Sequence, residues 1–129
     1  MPSHVLLVED SVLVTDALRT LLDAMGHRVT VAHNVAGAVA ACDAEVPDVM
    51  LLDLTLPDGS GLDALAEIRR RGRVPAVVTA MTGHDDDATR RRCLDAGCGL
   101  VLVKPVASRE LLRLLEVWGA ARAGLDASG

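Results

Sequence analysis

An α/β domain with a parallel sheet and helices on both faces is the fold this chain predicts, and three observations predict it. Apolar runs of strand length alternate with apolar residues at helical spacing five times over. The run at 49–52 (VMLL) is apolar throughout, as a strand buried on both faces requires. Turn residues punctuate the segments, so each strand feeds a helix and each helix returns to a strand, an order that produces right-handed parallel crossovers.

The elements follow in order. Residues 4–8 (HVLLV) read as a first strand, and Val14, Leu18, Leu21, Leu22 and Met25 then recur at helical spacing until Gly26 stops the helix. A second strand at 28–32 leads into an alanine-rich helix at 36–44 that ends before Pro47. The third strand, 49–52, ends at Asp53. The segment 56–61 (LPDGSG) is turn chemistry, and Leu62, Leu65, Ala66 and Ile68 mark a third helix closed by Gly72. A fourth strand covers 76–81, a fourth helix 86–96 with Gly97 at its end, and a fifth strand 100–103. Ser108 caps a last helix carrying Leu111, Leu112, Leu114, Leu115 and Trp118, and the tail frays from about 122. Residues 1–121 therefore read as one domain and 122–129 as a flexible tail.

Composition narrows the function classes. In 129 residues there is room for one core, and with no Phe or Tyr and Trp118 as sole aromatic that core is aliphatic. A net charge of -5 argues against direct nucleic-acid binding, since phosphate backbones recruit basic surfaces. The runs Arg69-Arg70-Arg71 and Arg90-Arg91-Arg92 are expected toward helix ends, as solvated faces. Cys42, Cys93 and Cys98 are an odd set without metal-ligand spacing, which suits small buried thiols in a reducing compartment. No export leader or membrane-spanning run is read, so a cytoplasmic location is expected.

In a parallel α/β sheet ligands bind beyond the carboxyl ends of the strands. Those ends carry Glu9-Asp10, Asp53, Thr82-Gly83 and Lys104-Pro105. Three carboxylates gathered there repel one another and call for a hard divalent cation, for which Mg²⁺ is suited because it keeps waters and accepts phosphate oxygens. An acidic pair before a helix also suits the positive end of its dipole, so Glu9 and Asp10 alone would decide little. With the other strand ends they suggest a carboxylate, Asp53, able to attack phosphorus, with Thr82 offering a hydroxyl to a phosphoryl oxygen and Gly83 leaving the approach open. Thr79 is the competing hydroxyl, three residues earlier inside the strand. Lys104 is the only lysine beside twelve arginines. A compact ammonium on a flexible stem can serve Asp53 and then its phosphoryl group, where a guanidinium fork would lock onto one carboxylate. Pro105 either fixes the aim of that lysine or opens a helix-entry turn.

The stretches LLVEDS, MLLDLTLPDGSGLD, MTGHDDD, LDAG and VLVKPV, in this order and spacing, resemble the receiver domain of two-component response regulators over about residues 4–120. The resemblance implies a flavodoxin-like fold with five strands in the order 2-1-3-4-5. It implies Asp53 as phosphoacceptor, Glu9, Asp10 and the backbone carbonyl of Thr55 as partners of Asp53 around Mg²⁺, Thr82 as switch hydroxyl and Lys104 as phosphate-contacting lysine. A histidine kinase or phosphotransfer protein would supply the phosphate. Such a chain is a signalling module whose only catalysis is its own phosphorylation and dephosphorylation, and a homodimer or a downstream protein would meet the face of helix four, strand five and helix five.

Two features depart from the family's pattern. Receivers usually carry Tyr or Phe three residues before the lysine, and this chain has Val101. No effector region is read after the last helix. His84 falls where the family borders its phosphorylation site, though an ordinary surface histidine fits equally, and His4, His27 and His33 read as structural. Two other classes stay open: a receiver-like scaffold working without phosphate, favoured by Val101, and a phosphohydrolase of the haloacid dehalogenase type, disfavoured because Thr55 stands where that chemistry places a second aspartate.

Overall fold

The computed structural model describes residues 3–104 together with Glu110 and Arg113, which are helical. Within residues 3–104, seven strands and four helices run in the order β1 (His4–Val8), α1 (Val12–Ala24), β2 (Arg28–Ala32), α2 (Val35–Ala44), β3 (Val49–Asp53), β4 (Thr55–Leu56), β5 (Gly59–Ser60), α3 (Gly61–Arg70), β6 (Val77–Thr82), α4 (Asp87–Asp95) and β7 (Leu100–Val103). Five of the strands form one parallel sheet in the order β2-β1-β3-β6-β7. This is the expected 2-1-3-4-5 order, with the small β4–β5 ribbon intervening in the count. That ribbon is antiparallel, pairing Thr55 with Ser60 and Leu56 with Gly59, within the stretch the sequence marks as turn. The final helix beyond Glu110 and Arg113, Pro105, Trp118 and the expected tail at 122–129 lie outside the described residues.

Alternation along each strand divides the core in two. Leu6, Val8, Met50, Leu52, Val78 and Ala80 point to the face covered by Ala38, Val39 and Cys42 of α2 and by Ala64, Leu65 and Ile68 of α3. On the other face Val5, Leu7, Val49, Leu51, Met81 and Leu102 meet Leu22 of α1, with Leu18 and Leu21 at its margin. Every residue of β3 is buried, which is why its sequence lacks polar alternation.

Helix starts are set by caps more than by apolar spacing. Ser11 accepts the N–H of Val14, Asn34 that of Gly37 at 2.6 Å, and Asp86 that of Thr89 at 2.8 Å. Ser60 and Asp63 form a reciprocal capping box at α3. The helices therefore begin a little earlier or later than the apolar pattern alone suggests. One expectation is only partly met. Arg69 and Arg70 occupy the last turn of α3 and Arg92 the last turn of α4, but Arg90 and Arg91 lie earlier in α4, because Asp86 caps that helix only a few residues upstream. Arg70 and Arg71 pair with Glu67, Arg71 also with Asp43, and Arg90 with Asp85, so these are solvent-facing ion pairs worth little individually.

Candidate functional site

The site forms where β1, β3, β6 and β7 end. Parallel register fixes the level of each side chain: Val8 lies opposite Leu52, Asp53 opposite Met81, and Thr82 opposite Val103. One step past Val8 stands Glu9, and one past Val103 stands Lys104. Asp53 itself is the last residue of β3 and Thr82 the last of β6. Glu9 and Asp53 are buried, only 2% and 4% exposed, whereas Asp10 is exposed.

Lys104 ties the acids together. Its Nζ donates to Glu9 Oε2 at 2.7 Å and to Asp53 Oδ2 at 2.8 Å, spanning strands at opposite ends of the sequence. The other oxygen of Asp53 accepts the N–H of Thr55 at 3.1 Å, and the other oxygen of Glu9 accepts that of Ser11 at 3.4 Å. Oxygens of Glu9, Asp10 and Asp53 all lie within 4.8 Å of one another. Three carboxylates thus face a single ammonium, and the surplus negative charge is what a divalent cation would neutralise. The donor set is all hard oxygen and one acid is open to solvent, so the residues fit Mg²⁺.

The electrostatics follow from burial. Desolvation raises the pKa of Glu9, nearby Asp53 raises it further, and Lys104 opposes both. For Lys104 burial alone would favour loss of the proton, but hydrogen bonds to Asp53 and Glu9 outweigh it and raise its pKa above the ordinary 10.5.

Thr82 is 3% exposed, and its hydroxyl accepts the N–H of His84 at 3.0 Å. Its carbonyl accepts the N–H of Lys104 at 2.7 Å, so hydroxyl strand and lysine strand are joined at the rim. A Cβ built on Gly83 would meet nothing within 4 Å, leaving the surface beside Thr82 open. Thr79 is fully buried within β6, opposite Leu51, and its hydroxyl has no partner among the described residues. Val101 is half-buried against the cluster that contains Ala80, Cys93 and Cys98. His4 and His27 serve the opposite end of the sheet, His4 bonding Thr30 at 2.7 Å and His27 accepting the N–H of Ser3.

Three supporting residues escape sequence reasoning. Gly61 opens α3 directly over the carbonyl of Asp53, where a Cβ would sit 2.2 Å from that oxygen. Asp58, read only as a turn residue, accepts the N–H groups of Val35 at 2.7 Å and Ala36 at 3.2 Å, fastening the loop after Asp53 to the start of α2. His33, read as structural, has its Nδ1 3.0 Å from the carbonyl of Glu9. The SGLD run signals Gly61 weakly, as a capped helix start, but nothing local signals the other two.

Among known proteins, the profile of the response regulator receiver domain matches residues 5–116. The chain is 37% identical over 112 residues to the transcriptional regulatory protein KdpE of Mycobacterium tuberculosis, covering 87% of this chain and 49% of that protein. It is 33% identical to KdpE of Escherichia coli K12, covering 89% and 50%. The chain therefore spans about half the length of the curated relatives it matches. Among solved structures, the receiver domain of the sensor histidine kinase PA1611 from Pseudomonas aeruginosa, with a magnesium ion in its active-site cleft, shares 31% identity at a TM-score of 0.78, covering 92% and 98%. A CheY-like receiver domain from Methanospirillum hungatei has the same fold, with a TM-score of 0.83 at 24% identity and coverage of 96% and 99%. This chain belongs to the response regulator receiver domain family of two-component signalling.

Proposed function

We propose that this receiver takes a phosphoryl group onto Asp53 from a phosphohistidine of a histidine kinase or phosphotransfer protein. A carboxylate oxygen of Asp53 attacks phosphorus, the phosphorus–nitrogen bond breaks, its electron pair stays on the donor imidazole, and an acyl phosphate results. The observation that carries this reading is the Lys104 ammonium held between Asp53 and Glu9. It neutralises the nucleophile in the resting state and remains within reach of the charge that arrives with the phosphoryl group. Glu9, Asp10 and Asp53, with the carbonyl of Thr55, would hold Mg²⁺, whose bound charge would stabilise the transferring oxygens. Thr82 supports the reading as a hydroxyl at the next strand end, free to exchange its His84 contact for a phosphoryl oxygen.

Output through the face of α4, β7 and the last helix, to a protein partner or a second copy, completes the proposal. The KdpE relatives are named transcriptional regulatory proteins, so in chains of that kind DNA binding would belong to the part that this receiver does not match. Among the described residues no helix is long and apolar enough to cross a membrane. Action in the cytoplasm is part of the proposal because the phosphohistidine donor would be met there.

A small phosphodonor with Mg²⁺ tests the reading. One base-labile, acid-stable phosphate on Asp53 is expected, absent in Asp53→Asn. No labelling where control receivers label would sink it. The second reading, a scaffold indifferent to phosphate, draws on Val101 and would be favoured by equal partner affinity with and without a phosphoryl mimic. Multiple turnover of phosphomonoesters would instead point to a hydrolase, against which Thr55 stands exposed beside Asp53, where that chemistry places a second aspartate.

A further inference from the structure

Helix α4 ends in a six-residue turn of unusual content. The N–H of Cys98 donates to the carbonyl of Cys93 at 3.0 Å and the N–H of Gly97 to that of Leu94 at 3.0 Å, with Gly97 at a φ of +102°. This is a Schellman turn, in which the two flanking residues face each other and an apolar contact normally joins their side chains. Here both are cysteines, 0% and 3% exposed, and both belong to the core cluster on the sheet face covered by α2 and α3. The backbone bond already brings the two chain positions together, so a disulfide asks for side-chain rotation more than backbone movement. Arg69 of α3 covers the turn: its guanidinium donates to the carbonyl of Ala96 at 2.6 Å and lies where a Cβ on Gly97 would be.

We propose that Cys93 and Cys98 are a redox pair which hydrogen peroxide converts to a disulfide, stapling the last turn of α4 to the approach to β7. One sulfur attacks peroxide, the oxygen–oxygen bond breaks, and a sulfenic acid and water form. The second sulfur displaces that hydroxyl as a second water, so two thiols lose two electrons and two protons in all. Burial pushes both thiols up, Cys98 to about 11, which suppresses the reactive thiolate in the closed state. Reaction therefore passes through opening of α4, and that opening is cheap because only Thr89 and Cys93 of the helix are buried. Once formed, the staple holds α4 in this arrangement independently of any event at Asp53.

Treating the folded, reduced chain with hydrogen peroxide and digesting it with trypsin tests the pair, since cleavage after Arg92 and Arg109 leaves both cysteines in one fragment and Cys42 in another. The expected fragment is lighter by two hydrogens, restored by dithiothreitol. Amide exchange at Gly97 and Cys98 should slow by about tenfold on oxidation while β3 stays unchanged. Arg69→Ala, which uncovers the turn, should speed disulfide formation several-fold. Oxygen added to either sulfur instead of a bond, a bridge to Cys42 or to a second chain, or unaltered exchange in an oxidised sample would each overturn the proposal. None of these readouts depends on phosphorylation.

Discussion

Helices α3 and α4 follow successive core strands and have nearly equal length, yet they are held in different ways. α3 buries Gly61, Ala64, Leu65 and Ile68, stacks its first residue on the Asp53 carbonyl, and is closed by a capping box. α4 buries only Thr89 and Cys93 and carries three successive arginines, Arg90 to Arg92, that reach into its last turn. Apolar burial at about 25 cal/mol per Å² makes the first a fixed wall and leaves the second held mainly by caps. The contrast teaches a difference in anchoring: one helix holds the Asp53 end of β3 still, while its neighbour is the looser of the two.

Ile68→Ala should break the comparison most severely. It opens a cavity in a fully buried position and should cost about 2–5 kcal/mol in a denaturant titration. Gly61→Ala comes next. Its methyl group would overlap the Asp53 carbonyl, so α3 or β3 must shift at a cost of about 1–3 kcal/mol, and phosphorylation should slow more than the stability loss explains. In α4, Thr89→Ala removes a hydroxyl bonded to Asp86 and should cost only about 1 kcal/mol, with faster amide exchange confined to α4. A loss there as large as that of Ile68→Ala would erase the distinction between the helices.

Smaller effects probe the charges at the rim. At a free Mg²⁺ concentration ten times its Kd the wild type should gain about 1.4 kcal/mol, seen as a higher Tm, and Asp53→Asn should gain less. The pKa of Lys104 is raised on folding, so its stabilising contribution is complete below the ordinary lysine value of 10.5 and is lost as pH rises above it. Wild type should accordingly lose stability in alkali more steeply than Lys104→Met. Glu67 runs the other way: its pairs with Arg70 and Arg71 lower it to about 2, so what it contributes is present above 4.5 and lost as acid is added toward that lower value. Glu67→Gln should flatten that acid limb slightly.

Much of this was legible in the residues. Strands β1 and β2 begin and end where the apolar runs do, and the acids, hydroxyl and lysine all stand at strand ends because strand periodicity places them there. Less legible were features set by capping and distance. The apolar pattern first marks α1 at Val14, but Ser11 starts the helix at Val12, and Val12 and Leu13 are 58% and 84% exposed, so their hydrophobicity reports no core contact. Two-residue strands such as β4 and β5 are too short to show alternation, and the segment reads as a turn. The roles of Asp58 and His33 depend on neighbours far along the chain, which local spacing does not encode.

The ladder joining β3 to β6 is also a measuring stick. Asp53 sits at the level of Met81, and displacement by a single rung would present Leu52 or Leu54 where the acid now meets Lys104. Evolution and engineers alike can lengthen the helix-to-strand links at the far edge, such as the one at 72–76 between α3 and β6, without disturbing chemistry at this one. An added residue inside β3 would have no such licence: it would swap an acid for a hydrocarbon while leaving the overall outline of the domain intact.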